Sequence, residues 1–343
     1  MNKIRLGKTE LFVTATSIGA LPLQRCSVDD AVALLRRCFE GGINYYDTAN
    51  AYSDSEKKLG IAFEGIRHEI IISTKTMSED YDTAREHIEN SLRQLDTDYI
   101  DLLQLHNPSA EIDPDDPNSP FAAALEARKK GYVRHIGITS HRIPLALSHI
   151  ASGLFETLQF PISYLSTEEE LGVIAKCADA DMGIIAMKAL AGGLITNARA
   201  AHAYLKSLEN VVPIWGVQTM EQVEEWLRLA TENPSLDDEL WQRIAEDREQ
   251  LQGGFCRGCG YCTPTCPAEI ELWNAARMSV LLRRSPWEQY YSDEWREKME
   301  RIEDCSECGE CLEHCPYGLN PQELIKSTLK DWREFGRERG VLS

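Results

Sequence analysis

Eight of the eleven cysteines fall into two copies of one pattern. Cys256, Cys259, Cys262 and Cys266 precede Pro267, and Cys305, Cys308, Cys311 and Cys315 precede Pro316. The spacing C-x2-C-x2-C-x3-C-P is that of bacterial 4Fe–4S ligand runs. Three cysteines two residues apart wrap three corners of an iron–sulfur cube, and a distant cysteine fills the fourth. In two-cluster proteins the fourth cysteine of each run serves the other cluster. This groups Cys256, Cys259, Cys262 and Cys315 on one cluster, and Cys305, Cys308, Cys311 and Cys266 on the other. Zinc favours two CxxC pairs without a trailing proline. Disulfides need an oxidising compartment, and no signal peptide opens the sequence. Cys38 and Cys177 lie on apolar helical faces and read as inert core residues. Cys26 lies in a loop and takes no role.

A second set of reactive types lies in the first half of the chain. Asp47, Lys75 and His106 each close a β-rich run, and Tyr52 follows Asp47 by five positions. Reduction of a carbonyl needs a proton on its oxygen. A phenol ordinarily ionises too high to give one easily near neutrality. An ammonium beside it favours the phenolate, a carboxylate holds the ammonium, and a neutral imidazole orients the carbonyl. Tyr52 is thus the expected proton donor, Lys75 its activator, Asp47 the support of Lys75, and His106 the orienting group. Taken singly, each residue has a plain structural reading; it is the four together that point to one site.

The elements needed to bring these residues together follow from periodicity. A hairpin is expected over residues 4–13, turning at Gly7-Lys8. Eight strands follow, over 16–21, 43–47, 69–74, 100–105, 135–139, 157–161, 183–187 and 211–215. Helical patterns separate them over 28–40, 56–64, 84–95, 121–130, 143–151, 168–180, 198–208 and 221–231. Alternation of eight strands and eight helices predicts an α/β fold, a (β/α)8 TIM barrel, with catalytic groups at the C-terminal strand ends. An open doubly wound sheet would need an early Gly-x-Gly-x-x-Gly, and there is none. The barrel is expected over residues 1–232, a helical linker over 233–252 and the cluster domain over 253–343, with Gly253-Gly254 as hinge. The cluster domain reads as mainly helical: Leu272, Ala275, Ala276, Met278, Leu281 and Leu282 recur at helical intervals. Asn320-Pro321 with Glu323 forms a helix start. It resembles the α-helical dicluster ferredoxins.

Arg5-Leu6-Gly7-Lys8-Thr9, Asp47-Thr48-Ala49 with Tyr52, Ser73-Thr74-Lys75 and Leu105-His106 resemble the motifs of the aldo/keto reductase family, over roughly residues 1–231. With the cysteine runs, the chain looks like the branch of that family carrying a 4Fe–4S dicluster extension. The resemblance implies pyridine-nucleotide-linked carbonyl reduction. It also implies that Ser140 and Gln159 hold the nicotinamide carboxamide, with His141 where the family has Asn. Met187 takes the ring-stacking position. Gly216 and Gln218 take the phosphate turn, and Trp226, beside Glu224 and Glu225, takes the place of an adenine contact. Gln218 stands where a cation would meet a 2′-phosphate, which disfavours NADP relative to NAD. Nicotinamide gives hydride whereas a 4Fe–4S cluster carries one electron, so a flavin is the other cofactor expected at the barrel. The Gly192-Gly193 turn is a candidate phosphate cradle for either.

Composition limits the partners. The formal net charge is −19, which disfavours nucleic acid, whose phosphates need clustered Lys and Arg. A hydrophobic share of 43% supplies a large core, yet no run has the length of a transmembrane helix. The expected partners are a small carbonyl or alcohol substrate and a ferredoxin-type redox carrier, and the expected location is the cytoplasm. Two rival functions remain at this level. One is a plain NAD(P)H-dependent carbonyl reductase whose clusters are structural or redox-sensing. The other is a non-catalytic electron-transfer module.

Overall fold

A computed structural model describes residues 1–251, 255–284 and 287–342. Gly253-Gly254, the expected hinge, lie outside the described residues. The chain divides into two compact units. One comprises Met1–Ala189 with Arg199–Leu240, the other Leu190–Ala198 with Trp241–Ser343.

In the first unit, β1 (Lys3–Arg5) and β2 (Phe12–Thr14) form an antiparallel hairpin. The next eight strands are β3 (Ser17–Gly19), β4 (Tyr45–Asp47), β5 (Ile71–Thr76), β6 (Ile100–His106), β7 (Val133–Thr139), β8 (Thr157–Pro161), β9 (Gly183–Met187) and β10 (Val211–Gly216). They close in sequence order into an all-parallel barrel, with β10 pairing β3. A crossover helix follows each strand: α1 (Val28–Glu40), α2 (Ser55–Ala62), α3 (Tyr81–Leu95), α4 (Pro120–Lys129), α5 (Ile143–Ser152), α6 (Glu168–Asp179), α7 (Ala198–Ser207) and α8 (Met220–Glu232). Side chains fix several starts. Ser27, Asp80, Ser119, Thr167 and Thr219 each accept the amide three residues on, satisfying an orphan donor of the first turn.

Leu6 and Val13 of the hairpin pack with Tyr45, Leu102, Ile185, Val212 and Ile214 inside the barrel. Gly7 bridges to Met182, and the Lys8 amide donates to Asp181 O at 2.7 Å, just before β9 begins. The hairpin therefore stoppers the N-terminal end of the strands. That leaves the C-terminal ends as the mouth, where barrels of this kind place their chemistry.

The second unit includes α9 (Asp238–Gln250) from Trp241 on, then α10 (Leu272–Ala275), α11 (Met278–Arg284), α12 (Asp293–Glu300), α13 (Glu310–Glu313) and α14 (Pro321–Glu338). Helix α14 organises it. Asn320 caps its start, accepting the Glu323 amide at 3.2 Å. Ile325, Leu329, Trp332 and Phe335 form its buried stripe. Trp332 stacks on Tyr291 at 5.0 Å, and the Tyr291 hydroxyl donates to Trp332 O at 2.7 Å. Thr328 donates to Ala275 O, and Arg283 forks onto Asp331 at 2.6 and 2.7 Å. The unit is mainly helical. The pattern that predicted helix over 272–282 resolves into two short helices broken at Ala276-Arg277.

Candidate active site

Side chains alternate along a strand, so residues two apart share a face. Tyr45 and Asp47 on β4, Ser73 and Lys75 on β5, and Gln104 and His106 on β6 are three such pairs on adjacent strands. Parallel registry sets Asp47 beside Ser73 and Lys75 beside Gln104. The result is one buried polar network. Lys75 Nζ donates to Asp47 Oδ2 and to Thr48 O, each at 2.6 Å. Asp47 Oδ1 also accepts from Ser73 Oγ at 2.7 Å and from Gln104 Nε2 at 3.1 Å. Tyr45 OH donates to Ser73 Oγ at 2.9 Å. The Asp47 and Lys75 side chains are 3% and 1% exposed, so the pair sits where water screens it little.

Tyr52 reaches this network from the loop after β4. Its half-buried ring lies under Lys75, with Nζ 5.1 Å from the centroid, and meets His106 edge-on at 5.9 Å. Asp47, Tyr52, Lys75 and His106 are thus brought together. Asp47 and His106 end their strands. Lys75 was expected to end its strand, but β5 continues to Thr76, which places Lys75 one residue inside the barrel.

Electrostatics departs from expectation at Tyr52. Burial raises its pKa, and the Asp47 charge raises it further. The anticipated lowering by Lys75 is not the ruling effect, because the ammonium is held by Asp47 and Thr48 O. Burial lowers the Lys75 pKa, and Asp47 opposes that fall. His106 is driven down to about 3, first by burial and then by Lys75. Its imidazole is therefore neutral at ordinary pH, and its Nδ1 is buried without a hydrogen-bond partner.

Two contributors escaped the motif reading. Gln104 ties Asp47 to Gln159. Glu56, on α2, is buried behind Lys75 and accepts from Thr74 Oγ1 at 2.5 Å. The alternation that pairs Gln104 with His106 was the signal available for the first. The second depends on how α2 packs on β5.

Of the groups assigned to a nucleotide by resemblance, the Gln159 and Ser140 side chains are engaged within the protein. Gln159 accepts from Gln104 at 2.8 Å and donates to Asp47 Oδ2 at 3.4 Å. Ser140 Oγ donates to Arg142 O and accepts the Arg142 amide. Met187 is half-buried against the barrel core. The Gln218 amide donates to Gln222 Oε1 at 2.7 Å, within the cap of α8, and a Cβ on Gly216 would meet Pro22. Trp226, placed at an adenine contact by resemblance, is instead buried and stacks on Trp215 at 4.0 Å. Gly192 and Gly193 fall in the second unit. The Gly193 amide is taken by Leu190 O at 2.9 Å, and Gly192 O accepts from Arg277. Of the two amides of this turn, that of Gly193 is thus hydrogen-bonded within the protein.

In the second unit, burial raises the thiols of Cys256, Cys262 and Cys311, Cys262 to about 12. Their electrostatic neighbours follow the crossed grouping. Cys262 interacts with Cys259, Cys256 and Cys315, and Cys311 with Cys305, Cys266 and Cys308. Each run therefore faces the last cysteine of the other. Among the described residues no three His, Cys, Asp or Glu side chains stand close enough to share one ion. Thiolates on a four-iron cube each bind a different iron and stand farther apart than thiolates on a single zinc. The remaining cysteines are as expected: Cys38 and Cys177 are fully buried, with thiols pushed up to about 12 by burial.

Comparison with known proteins agrees with both units. The aldo/keto reductase family matches residues 15–209, and a 4Fe–4S dicluster domain matches residues 255–320. An L-galactose dehydrogenase of Arabidopsis thaliana is 30% identical over 218 residues, 57% of this chain and 68% of that protein. An uncharacterised oxidoreductase of Bacillus subtilis, YqkF, is 29% identical over 212 residues, 57% of this chain and 67% of that protein. The chain thus spans about two thirds of the length of these relatives. Among solved structures, the holo form of the aldo/keto reductase AKR11C1 from Bacillus halodurans superposes with a TM-score of 0.64. It is 24% identical and covers 72% of this chain and 96% of its own, a likeness of fold. With a matched barrel, a matched cluster domain and relatives that are oxidoreductases, the chain belongs to the aldo/keto reductase family and is an oxidoreductase carrying a 4Fe–4S dicluster domain.

Proposed function

We propose that the barrel reduces a small carbonyl compound, or oxidises the matching alcohol, and shares electrons with two 4Fe–4S clusters on the same chain. The observation that carries this reading is the buried Lys75–Asp47 pair with Tyr52 and neutral His106 around it. Carbonyl reduction consumes two electrons and two protons. Tyr52 delivers a proton to the carbonyl oxygen. Its raised pKa keeps it a phenol until an alkoxide, a stronger base, forms beside it. Lys75, over its ring, then stabilises the phenolate left behind. His106, neutral and with an unused ring nitrogen, orients the carbonyl.

Cys256, Cys259, Cys262 and Cys315 would hold one cluster, and Cys305, Cys308, Cys311 and Cys266 the other. The clusters would supply one-electron transfer to an external carrier of the ferredoxin type. A flavin, which can take electrons singly and give them in pairs, would be the group able to join them to the substrate. Because the Gln159 and Ser140 side chains are engaged elsewhere in the protein, no step is assigned to a nicotinamide. Were one to bind, the acidic α8 start, with Glu221, Glu224 and Glu225, favours NADH over NADPH.

The test is air-free purification, iron and sulfide analysis, and titration with NADH, NADPH and reduced ferredoxin, with flavin present and absent. Bleaching of the cluster spectrum that reverses on adding a carbonyl substrate supports electron sharing. A cluster spectrum indifferent to every donor and substrate refutes it.

The barrel's standing as a compact unit favours a second reading, an ordinary nicotinamide-dependent carbonyl reductase whose clusters are structural or redox-sensing. A folded Cys308→Ala protein that keeps full turnover decides for it.

A further inference from the structure

The two cysteine runs differ in how they stand to the surface. No residue of 255–262, which holds Cys256, Cys259 and Cys262, is exposed. Eight of the eleven residues 303–313 are exposed, Cys308 among them, so this loop is a surface loop whatever its thiolates hold. It is fastened from behind. Glu303 pairs with Arg333 at 2.8 Å, and Glu307 pairs with Lys326. Lys326 and Arg333 stand seven residues apart on α14, about two turns along one face, so one helix holds the loop at two points. Cys311 turns inward, 7% exposed, toward Cys305, Cys266 and Cys308. The other exposed side chains of the loop are of two main kinds. Leu312, 40% exposed, is apolar. Glu303, Asp304, Glu307, Glu310 and Glu313 are acids. Arg333 and Lys326 match two of the five. Asp304, Glu310 and Glu313 form no ion pair among the described residues. His314, the next base along the chain, is turned back onto Glu310 O at 2.8 Å.

We propose that the cluster assigned to Cys305, Cys308, Cys311 and Cys266 is the port for electrons passing to and from an external carrier, and that this carrier is a protein with a basic docking face. The proposal rests on the reading that the cysteines hold 4Fe–4S clusters. The exposed cysteine run carries it, and the acids set only the sign of the partner. A carrier must bring its redox group close to a cluster, and the run on the surface loop is the one it can approach. Redox encounters use small, transient interfaces, which suits one apolar side chain within a ring of charge. The three unmatched acids attract a basic face and steer its approach. A carrier as acidic as this chain, whose formal net charge is −19, is repelled. In each transfer one electron leaves the reduced cluster and one acceptor on the carrier gains it. No bond forms and no proton moves.

The experiment uses the full chain, purified and reduced without oxygen. It is mixed with oxidised cytochrome c, a basic one-electron acceptor, or with oxidised flavodoxin, an acidic one, and cluster absorbance follows the transfer. With cytochrome c the rate should fall as salt shortens the Debye length from about 30 Å at about 0.01 M to about 3 Å at about 1 M, and with flavodoxin it should rise. Asp304→Asn/Glu310→Gln/Glu313→Gln changes exposed residues outside the cysteine ligands, so folding is spared. It should slow transfer to cytochrome c at low salt by about tenfold, the lower end of electrostatic steering. Glu64→Gln/Glu79→Gln/Glu86→Gln removes the same charge from exposed positions of the barrel unit and should slow it by less than about twofold. A carbodiimide, which joins a carboxylate to a lysine amine, should link cytochrome c to peptides within 303–313. Equal slowing by the two triple variants, no slowing by either, or links confined to other peptides overturns the port. Neither readout involves substrate or mediator, so failure of electron sharing with the barrel leaves this test intact. Wild-type protein without iron would overturn the port and the cluster assignment together, and iron analysis shows that before any mixing.

Discussion

Replacing Asp47 with Asn would remove the counter-charge of an ammonium that is 1% exposed. Breaking a buried ion pair by removing one partner costs about 3–5 kcal/mol. Lys75 keeps one close acceptor, Thr48 O at 2.6 Å, which places the expected loss near the lower end, about 3 kcal/mol. That corresponds to roughly two decades in an opening equilibrium. The loss should depend on pH with a defined sign. Burial already lowers the Lys75 pKa, and Asp47 is the main influence opposing the fall. Without Asp47 the folded-state value drops further, while the unfolded value stays near 10.4. Between the two, the unfolded chain binds a proton that the folded chain does not. Stability therefore rises with pH across that window, by at most about 1.4 kcal/mol per unit, and the deficit is full below it. Hydrogen exchange of peptides covering 45–47, 71–76 and 100–106 reads the barrel alone, independently of cluster loss. Protection in Asp47→Asn should fall most at low pH and recover toward wild type as pH rises. The double variant Asp47→Asn/Lys75→Met should recover much of the loss at every pH, because it leaves no unpaired charge. An Asp47→Asn protein as protected as wild type from pH 6 to 9 would refute the buried pair and the site built on it.

Cys315→Ala should abolish the cluster of Cys256, Cys259 and Cys262, although Cys315 belongs to the other run; selective loss of the second cluster in resonance spectra would contradict the crossed grouping. Tyr52→Phe should lower carbonyl turnover by about 10²–10⁴-fold while barrel exchange is unchanged; turnover within a factor of two of wild type would remove Tyr52 from the chemistry. His106 and His202, pushed by burial down to about 3 and about 4, remain neutral while unfolded histidines protonate near 6.5. Their contribution to stability is whole above about pH 6.5 and shrinks as acid is added, by at most about 1.4 kcal/mol per unit for each. Acid denaturation of His202→Phe should accordingly be less steep between pH 6 and 4 than that of wild type, and equal steepness would show that His202 protonates freely in the fold.

Much of this protein is legible in its sequence because the relevant signals are local. Cysteine spacing depends only on how a short loop wraps a cube, so both runs identify themselves. Alternation of period-2 and period-3.6 segments names a barrel without any knowledge of contacts, and α1, β8 and β9 fall on the expected residues. Even the pairing of Gln104 with His106 on one strand face is implicit in the two-residue repeat.

What the tertiary structure decided is everything that depends on two distant segments meeting. Registry between β4, β5 and β6 determines that Ser73 and Gln104 bind Asp47, and closure of the barrel brings Gln159 of β8 onto Gln104. Packing of α8 turns Trp226 inward onto Trp215. The direction of the Tyr52 shift follows from how deeply its ring is desolvated and from where the Lys75 charge is held, neither of which spacing records. Spacing fixes which chemical groups the chain carries, but charge and burial act through space, and only the folded chain sets those distances.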